Sequence, residues 1–156
     1  MNSKNLLTEL IKTGKLKKQA TDIHYLNGLL DAAKRNFEAA GLVKSKIDEA
    51  AFKLIYDGLL QISRVVVMLN GYRPDDGEQH KTTFTAAGEL MGSEFREFID
   101  KIQRFRIKRN NCVYEPTGLI TKSEVEAILD TAKKYWPKIK KYLQTRNPQL
   151  QLFEDV

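Results

Sequence analysis

A long run of apolar residues with helical spacing, residues 48–69, constrains the fold of this chain more than any other feature. Ala51, Tyr56, Leu60 and Val67 widen the main apolar stripe until most sides of the helix are apolar. A helix of this kind is central in a bundle or shared with a partner. The main stripe recurs at steps of three and four residues: Phe52, Ile55, Leu59, Ile62, Val66 and Leu69.

Shorter amphipathic segments lie on both sides of this stretch and give the fold class. No segment shows the sustained alternation of a strand, and residues 71–81 are predicted to form a loop. The short connections favour an all-α class, an antiparallel bundle of about five or six helices. Helices are predicted over residues 5–13, 22–40, 48–69, 82–91, 95–115 and 121–143, with a kink or a restart at Pro137.

Polar residues mark where several of these helices begin. Asp22 and Ser93 are predicted N-caps, and Ser45 and Thr121 each begin a capping-box pattern. Gly41 is the predicted end of the second helix.

The length of 156 residues suits one domain. We expect a helical domain over residues 1–144 and a C-terminal tail over residues 145–156. Leu150, Leu152 and Phe153 of the tail are expected to dock on the body or on a partner. The start of the chain lacks the pattern of a secretory signal, and no apolar run approaches the roughly 18 residues of a spanning helix. A cytoplasmic location without membrane contact is therefore the expectation.

Charge and motif content narrow the classes of function. The formal net charge is +6 at pH 7, a balance that favours anionic partners, of which nucleic acid is the commonest. Cys112 is the single cysteine, so an internal disulfide is excluded and a thiolate metal site is disfavoured. The sequence has no Gly-rich phosphate loop, no Gly-x-Ser-x-Gly, no zinc spacing and no calcium loop. No cofactor and no metal are therefore predicted.

The helix predicted over Phe95–Glu115 becomes strongly basic towards its end. Guanidinium groups can grip phosphate oxygens with two parallel hydrogen bonds, so this helix end is a candidate phosphate clamp. The alternative is a set of salt bridges to acidic groups such as Asp100 or Glu115. The candidate binding residues for phosphate or RNA are Arg106, Lys108, Arg109 and Asn110.

The second candidate group is His80, which stands in the predicted loop beside Arg73, Asp75, Asp76 and Glu78. A histidine among charged groups is a candidate for acid–base chemistry. The alternative is a solvated loop side chain among solvated carboxylates.

The residues Arg109-Asn110-Asn111-Cys112-Val113-Tyr114 resemble the Arg-x4–6-His motif of the HEPN superfamily (higher eukaryotes and prokaryotes nucleotide-binding). The closest variant, in prokaryotic HEPN-like proteins, reads Arg-x-Lys-Arg-Asn-x-x-x-Tyr, which Arg106–Asn110 and Tyr114 match. The resemblance extends over about residues 14–143. Further matching positions are Gly14–Lys18, Ala51-Phe52, Tyr56, Gly71–Arg73, Gln79-His80 and Gly118.

This resemblance implies a helical bundle that dimerises through its motif-bearing helices. In active members, the arginine holds the scissile phosphate of RNA and the histidine moves a proton, without a metal. Many members are toxins of toxin–antitoxin or defence systems and are encoded beside a nucleotidyltransferase. Tyr114 stands at the histidine position, and a tyrosine with an ordinary pKa near 10 is a poor base at pH 7. His80 is the candidate to replace it.

Three hypotheses follow. The first is a HEPN-like homodimer that binds RNA or another phosphate-bearing ligand in a toxin–antitoxin or defence system. The second is a metal-independent endoribonuclease, in which Arg109 stabilises the charged phosphorane, Asn110 orients it, and Tyr114 or His80 transfers a proton. The third is an interaction module for a nucleotidyltransferase or an antitoxin, in which Tyr114 is structural and Arg109 bridges to a carboxylate.

Overall fold

The computed structural model of the protein describes residues 3–114 and 119–156, with the backbone alone for residues 3, 4, 113 and 114. Within these ranges the chain forms six α-helices, one 3-10 turn (Ser93–Phe95) and two short strands, β1 (Leu16–Lys18) and β2 (Tyr72–Pro74). The predicted all-α helical bundle is confirmed. None of the described helices combines the length and the apolarity needed to cross a membrane. The helices are α1 (Ser3–Lys12), α2 (Ile23–Val43), α3 (Asp48–Leu69), α4 (Gln79–Met91), α5 (Arg96–Tyr114) and α6 (Lys122–Arg146).

Helix α3 lies at the centre of the bundle, as its apolar sides predict. It packs against α2, α4, α5 and α6. Phe52, Tyr56 and Ile62 of α3 are almost completely buried, as are Tyr135 and Trp136 of α6. Burying one such large side chain stabilises the fold by about 1.5–3 kcal/mol.

Helices α4 and α5 approach each other closely because α4 carries a glycine at their contact. A Cβ atom at Gly88 would lie 2.8 Å from Cγ1 of Ile99 on α5. Real Cβ atoms do not come that close to a neighbour, so the absent side chain permits the approach. This contact joins the later part of α4 to the first turn of α5.

The expectation of no strand was wrong for two short segments. Strand β1 pairs antiparallel with β2, with Leu16 opposite Pro74 and Lys18 opposite Tyr72. Three residues are too few for alternation to show in the sequence, and the pairing depends on burial of Leu16, which is 0% exposed. The predicted loop 71–81 was also wrong at its end, because α4 begins at Gln79 rather than at residue 82.

Two predicted N-caps are confirmed and two are wrong. Asp22 accepts a hydrogen bond from the Tyr25 backbone N–H at 2.8 Å, and Thr121 forms a complete capping box with Glu124. Ser45 does not cap α3, whose N-cap is Ile47 without a side-chain hydrogen bond. Ser93 does not cap α5 but begins the 3-10 turn.

Two helices also continue past their predicted ends. Helix α2 runs through Gly41 to Val43, since an exposed glycine inside a helix weakens it without ending it. Helix α6 is continuous across Pro137 and ends at Arg146, so the helix does not restart there.

The C-terminal tail packs on the body. The ring of Phe153 stacks on Trp136 of α6, with centroids 4.0 Å apart and planes 7° apart. Trp136 Nε1 donates to the Phe153 carbonyl oxygen at 3.1 Å. The Gln151 backbone N–H donates to Asn27 Oδ1 on α2 at 2.8 Å. The tail therefore closes one side of the core formed by α2 and α6.

Candidate anion-binding cleft

A cleft of about 570 Å³ lies between the basic half of α5, the first turn of α4 and the loop before it. The structure thus brings together four candidate residues, Arg106, Arg109 and Asn110 from α5 and His80 from α4. His80 belongs to a helix rather than to a loop, which fixes its position relative to the arginines. The other residues that line the cleft are Asp76, Gly77, Glu78, Gln79 and Lys81.

Gln103 connects the two helices that form the cleft. Its Nε2 donates to the Lys81 carbonyl oxygen at 3.1 Å and to Thr85 Oγ1 at 3.2 Å, both on α4. Its Oε1 accepts a hydrogen bond from Arg106 Nε at 2.8 Å. Arg106 is therefore oriented by a side chain that is itself attached to α4.

Asp76 holds the loop against the start of α4. Its Oδ2 accepts from Thr82 Oγ1 at 2.8 Å, and its Oδ1 accepts from the Glu78 backbone N–H at 3.1 Å. Glu78 is the N-cap residue but makes no side-chain capping bond. The first N–H groups of a helix have no intrahelical acceptor and lie at the positive end of its dipole. The start of α4 thus favours an anion in the cleft.

Arg109 has an unsatisfied donor. Its Nε is buried and has no hydrogen-bond partner among the described residues. Its Cζ lies 5.5 Å from the centroid of the Tyr56 ring, a cation–π contact that places the guanidinium on an aromatic face of α3. Leaving a buried donor unpaired costs about 1–3 kcal/mol. An acceptor oxygen from a ligand would remove that cost.

His80 is held by a tyrosine in the core. Tyr56 is 0% exposed, and its hydroxyl lies 3.0 Å from His80 Nδ1. Burial raises the pKa of Tyr56, so the hydroxyl is protonated at neutral pH. Because Nδ1 is engaged, Nε2 is the ring nitrogen left for a ligand. That nitrogen is a donor if Tyr56 donates to Nδ1, and an acceptor if Nδ1–H donates to Tyr56.

Burial lowers the pKa of His80, and the positive charges of Arg109, Arg106 and Arg64 lower it further, against the opposing effect of Asp57. His80 is therefore neutral at pH 7. The same surroundings raise the pKa of Asp57, where burial outweighs the attraction of Arg109, Lys53 and His80. Asp57 follows Tyr56 on α3 and is the nearby countercharge for the arginine.

Comparison of the chain with protein-family models, curated proteins and solved structures finds no match. The chemistry of the cleft is therefore the basis for any functional conclusion. No group of three or more His, Cys, Asp or Glu side chains among the described residues is arranged to hold a metal ion.

Lys108 is the candidate residue that the structure places outside the lining of the cleft. Lys108 Nζ lies 3.3 Å from Glu124 Oε2, so Lys108 connects α5 to the start of α6. Tyr114 ends α5, but its side chain lies outside the described residues. Glu115, one of the acidic groups proposed to form salt bridges with this basic helix end, also lies outside them.

Tyr56, Asp57 and Gln103 belong to the site but were not predicted as functional residues. Tyr56 was assigned to the apolar stripe of the central helix, where its hydroxyl is the one polar group that needs a partner. Gln103 precedes Arg106 by three positions, the spacing of neighbours on one helix face. That spacing was the available signal for Gln103.

The titration of His80 tests the electrostatics of the cleft. We expect His80 to titrate below the ordinary histidine pKa of about 6.5. Arg109→Gln is expected to raise the pKa of His80, because the arginine charge disfavours the imidazolium. The pKa should not return fully to the ordinary histidine value, since burial lowers it more than Arg109 does. Proton NMR of the imidazole ring from pH 4 to 8 measures both values. An unchanged pKa in Arg109→Gln would contradict the described arrangement, and Arg104→Gln is the matched control.

Proposed function

We propose that the protein binds RNA or another phosphate-bearing ligand through this cleft. The observation that carries the proposal is Arg109, whose side chain lines the same cleft as Arg106 and the start of α4 and carries a buried Nε without a partner among the described residues. A guanidinium fork and helix N–H groups are the donors that phosphate oxygens accept from. The resemblance to HEPN domains and the net charge of +6 agree with this reading.

The charges of the cleft leave its arginines as the cations for a ligand. Asp76 is occupied by Thr82 and the Glu78 backbone. Lys81 Nζ lies 3.8 Å from Glu78 Oε2, so these two charges offset each other. Arg106 uses its Nε on Gln103, which leaves its terminal nitrogens for a second phosphate contact. Asn110 adds an amide that can donate to a phosphate oxygen.

The salt dependence of RNA binding tests this function. For single-stranded RNA, two arginines that each neutralise one phosphate contribute a slope of about −1.4 in log K against log salt. Arg106→Ala is expected to reduce the slope by about 0.7, whereas Arg104→Ala, on the exposed face of α5, is expected to leave it unchanged. Fluorescence anisotropy with a labelled single strand measures the slope. Equal slopes in wild type and Arg106→Ala would contradict the assignment.

The same preparation tests the homodimer that the resemblance implies. Ile107 on α5 and Leu119 before α6 are 50% and 67% exposed, which makes them apolar side chains available to a second copy. Sedimentation velocity should give a dimer mass. A monomer at every concentration would remove the dimer from the proposal.

A metal-independent ribonuclease is the second candidate, and the position of His80 favours it. A neutral imidazole with Nδ1 on Tyr56 can take the 2′-hydroxyl proton at Nε2. The 2′-oxygen then attacks the adjacent phosphorus, the bond to the 5′-oxygen breaks, and that oxygen takes a proton from a general acid or water. The products are a 2′,3′-cyclic phosphate and a 5′-hydroxyl, and Arg109 would stabilise the phosphorane between them.

Incubation with RNA in excess EDTA tests the ribonuclease. We expect His80→Ala to lower cleavage by about 100-fold or more, the usual contribution of general base catalysis. His24→Ala is the matched control, because His24 is an exposed histidine on α2. Cleavage that survives in His80→Ala would exclude this role, and cleavage absent from wild type would leave binding as the function.

A further inference from the structure

A second, smaller cavity lies between the β1–β2 ribbon, the start of α2 and the later part of α3. It has a volume of about 270 Å³ and is formed by the segment after β1, the start of α2, the later part of α3, and β2. Its lining includes a threonine hydroxyl, an aromatic ring and two guanidinium groups, from Thr21, Tyr25, Arg64 and Arg73. A volume below the roughly 300 Å³ of the smallest drug-sized pockets suits a compact group rather than a large ligand.

Two residues that line this cavity each carry a buried polar atom without a partner. Thr21 Oγ1 and Arg64 Nε are both buried without a hydrogen-bond partner among the described residues. Most buried polar groups in folded proteins are paired, so two unpaired groups on residues that line one small cavity require an explanation. One is a cationic donor and the other a hydroxyl that can donate. An anionic, oxygen-rich group accepts hydrogen bonds from donors of both kinds.

The charges around the cavity are also suited to an anion. Arg73 NH1 donates to Asp75 at 2.7 Å, which leaves its other terminal nitrogen for a ligand. Asp22, the carboxylate within the lining, is occupied as the N-cap of α2 by the Tyr25 N–H. The start of α2, a helix of 21 residues, adds the positive end of a helix dipole.

We propose that this cavity is a second anion-binding site, which takes a phosphoryl group, free or as a phosphate ester, through Arg64, Arg73 and the Thr21 hydroxyl. The site is separate from the cleft of His80 and Arg109 and does not depend on the function proposed for it. Tyr25, 47% exposed, forms a wall on which an attached base can stack.

Titration of ¹⁵N-labelled protein with inorganic pyrophosphate tests the site. The Arg64 Nε–H and the Thr21 backbone N–H are expected to shift in a saturable way. Arg73→Ala should weaken this binding by about tenfold or more, the size of one charge-assisted hydrogen bond, and Thr21→Val should weaken it to a smaller degree. Arg35→Ala is the control, because Arg35 pairs with Asp31 on the exposed surface of α2. Shifts that do not saturate, or equal affinity in Arg73→Ala and Arg35→Ala, would overturn the proposal.

Two further comparisons distinguish a nucleotide from a free phosphoryl group as the ligand, and this cavity from the cleft of His80 and Arg109 as its binding site. Adenosine diphosphate that binds more tightly than pyrophosphate, with the advantage lost in Tyr25→Ala, would identify a nucleotide as the occupant. Equal binding would identify the phosphoryl group alone. The Arg109 Nε–H reports on the other cleft in the same spectra. Saturation at Arg109 without saturation at Arg64 would overturn this site and leave the cleft of His80 and Arg109 intact. Saturation at Arg64 without saturation at Arg109 would support this site and count against the cleft.

Discussion

Replacing Arg109 with alanine is expected to weaken the binding of single-stranded RNA by about 10- to 100-fold. Hydrogen bonds to a charged group contribute about 1.5–3 kcal/mol, and each 1.4 kcal/mol is a factor of ten in affinity. Fluorescence anisotropy at low salt measures the change. The fold should tolerate the substitution, because the lost cation–π contact with Tyr56 is offset by removal of a buried donor that has no partner.

Two variants separate the role of Arg109 from the effect of charge alone. Arg104→Ala removes the same charge from an exposed position of α5 and is expected to change affinity by less than about twofold. Arg109→Lys keeps the charge but loses the planar fork, so the salt dependence should persist while the affinity falls. If Arg104→Ala and Arg109→Ala weaken binding equally, the RNA responds to net charge and the cleft is not the site.

Tyr56→Ala is expected to destabilise the protein by about 3–5 kcal/mol, the usual cost of truncating a buried aromatic side chain. Tyr56 is 0% exposed and its ring packs on Phe84 and His80. Tyr56→Phe keeps the ring and loses only the hydrogen bond to His80, at a cost of about 0.5–1.5 kcal/mol. Urea denaturation followed by circular dichroism measures both free energies of unfolding.

The phenylalanine variant also separates the two candidate functions. Because the ring remains beneath Arg109, Tyr56→Phe should bind RNA like wild type. It releases His80 Nδ1, so cleavage should fall if His80 is the general base. If both Tyr56 variants cost the same stability, ring packing is not what the residue contributes.

The central helix could be predicted from the sequence because its apolar positions repeat along a continuous segment. The caps at Asp22 and Thr121 were predictable for a similar reason, since a cap is a local bond between a side chain and a nearby backbone N–H. The β1–β2 ribbon was not predictable, because its strands are far apart in sequence and depend on burial of Leu16. The start of α4 was missed because Asp76 and Gly77 have the composition of a turn, while the Asp76 side chain in fact binds Thr82 inside the helix.

Part of the candidate cleft follows from helical geometry alone. Arg106, Arg109 and Asn110 are spaced at three and four residues, so one helix places them together. Lys108 is next to Arg109 in sequence but points about 100° away around the helix, which explains its contact with Glu124 on α6. The contact of Tyr56 with His80 joins residues 24 positions apart, and no local pattern predicts it.

The most direct measurement is the resonance of the Arg109 Nε–H in ¹⁵N-labelled protein titrated with single-stranded RNA in EDTA. If the cleft holds phosphate, this resonance shifts in a saturable way and its exchange with solvent slows, because the buried donor gains an acceptor. The His80 ring signals should move with the same affinity. RNA that shifts other resonances while leaving Arg109 and His80 unchanged would place binding elsewhere on the protein and contradict the proposed site.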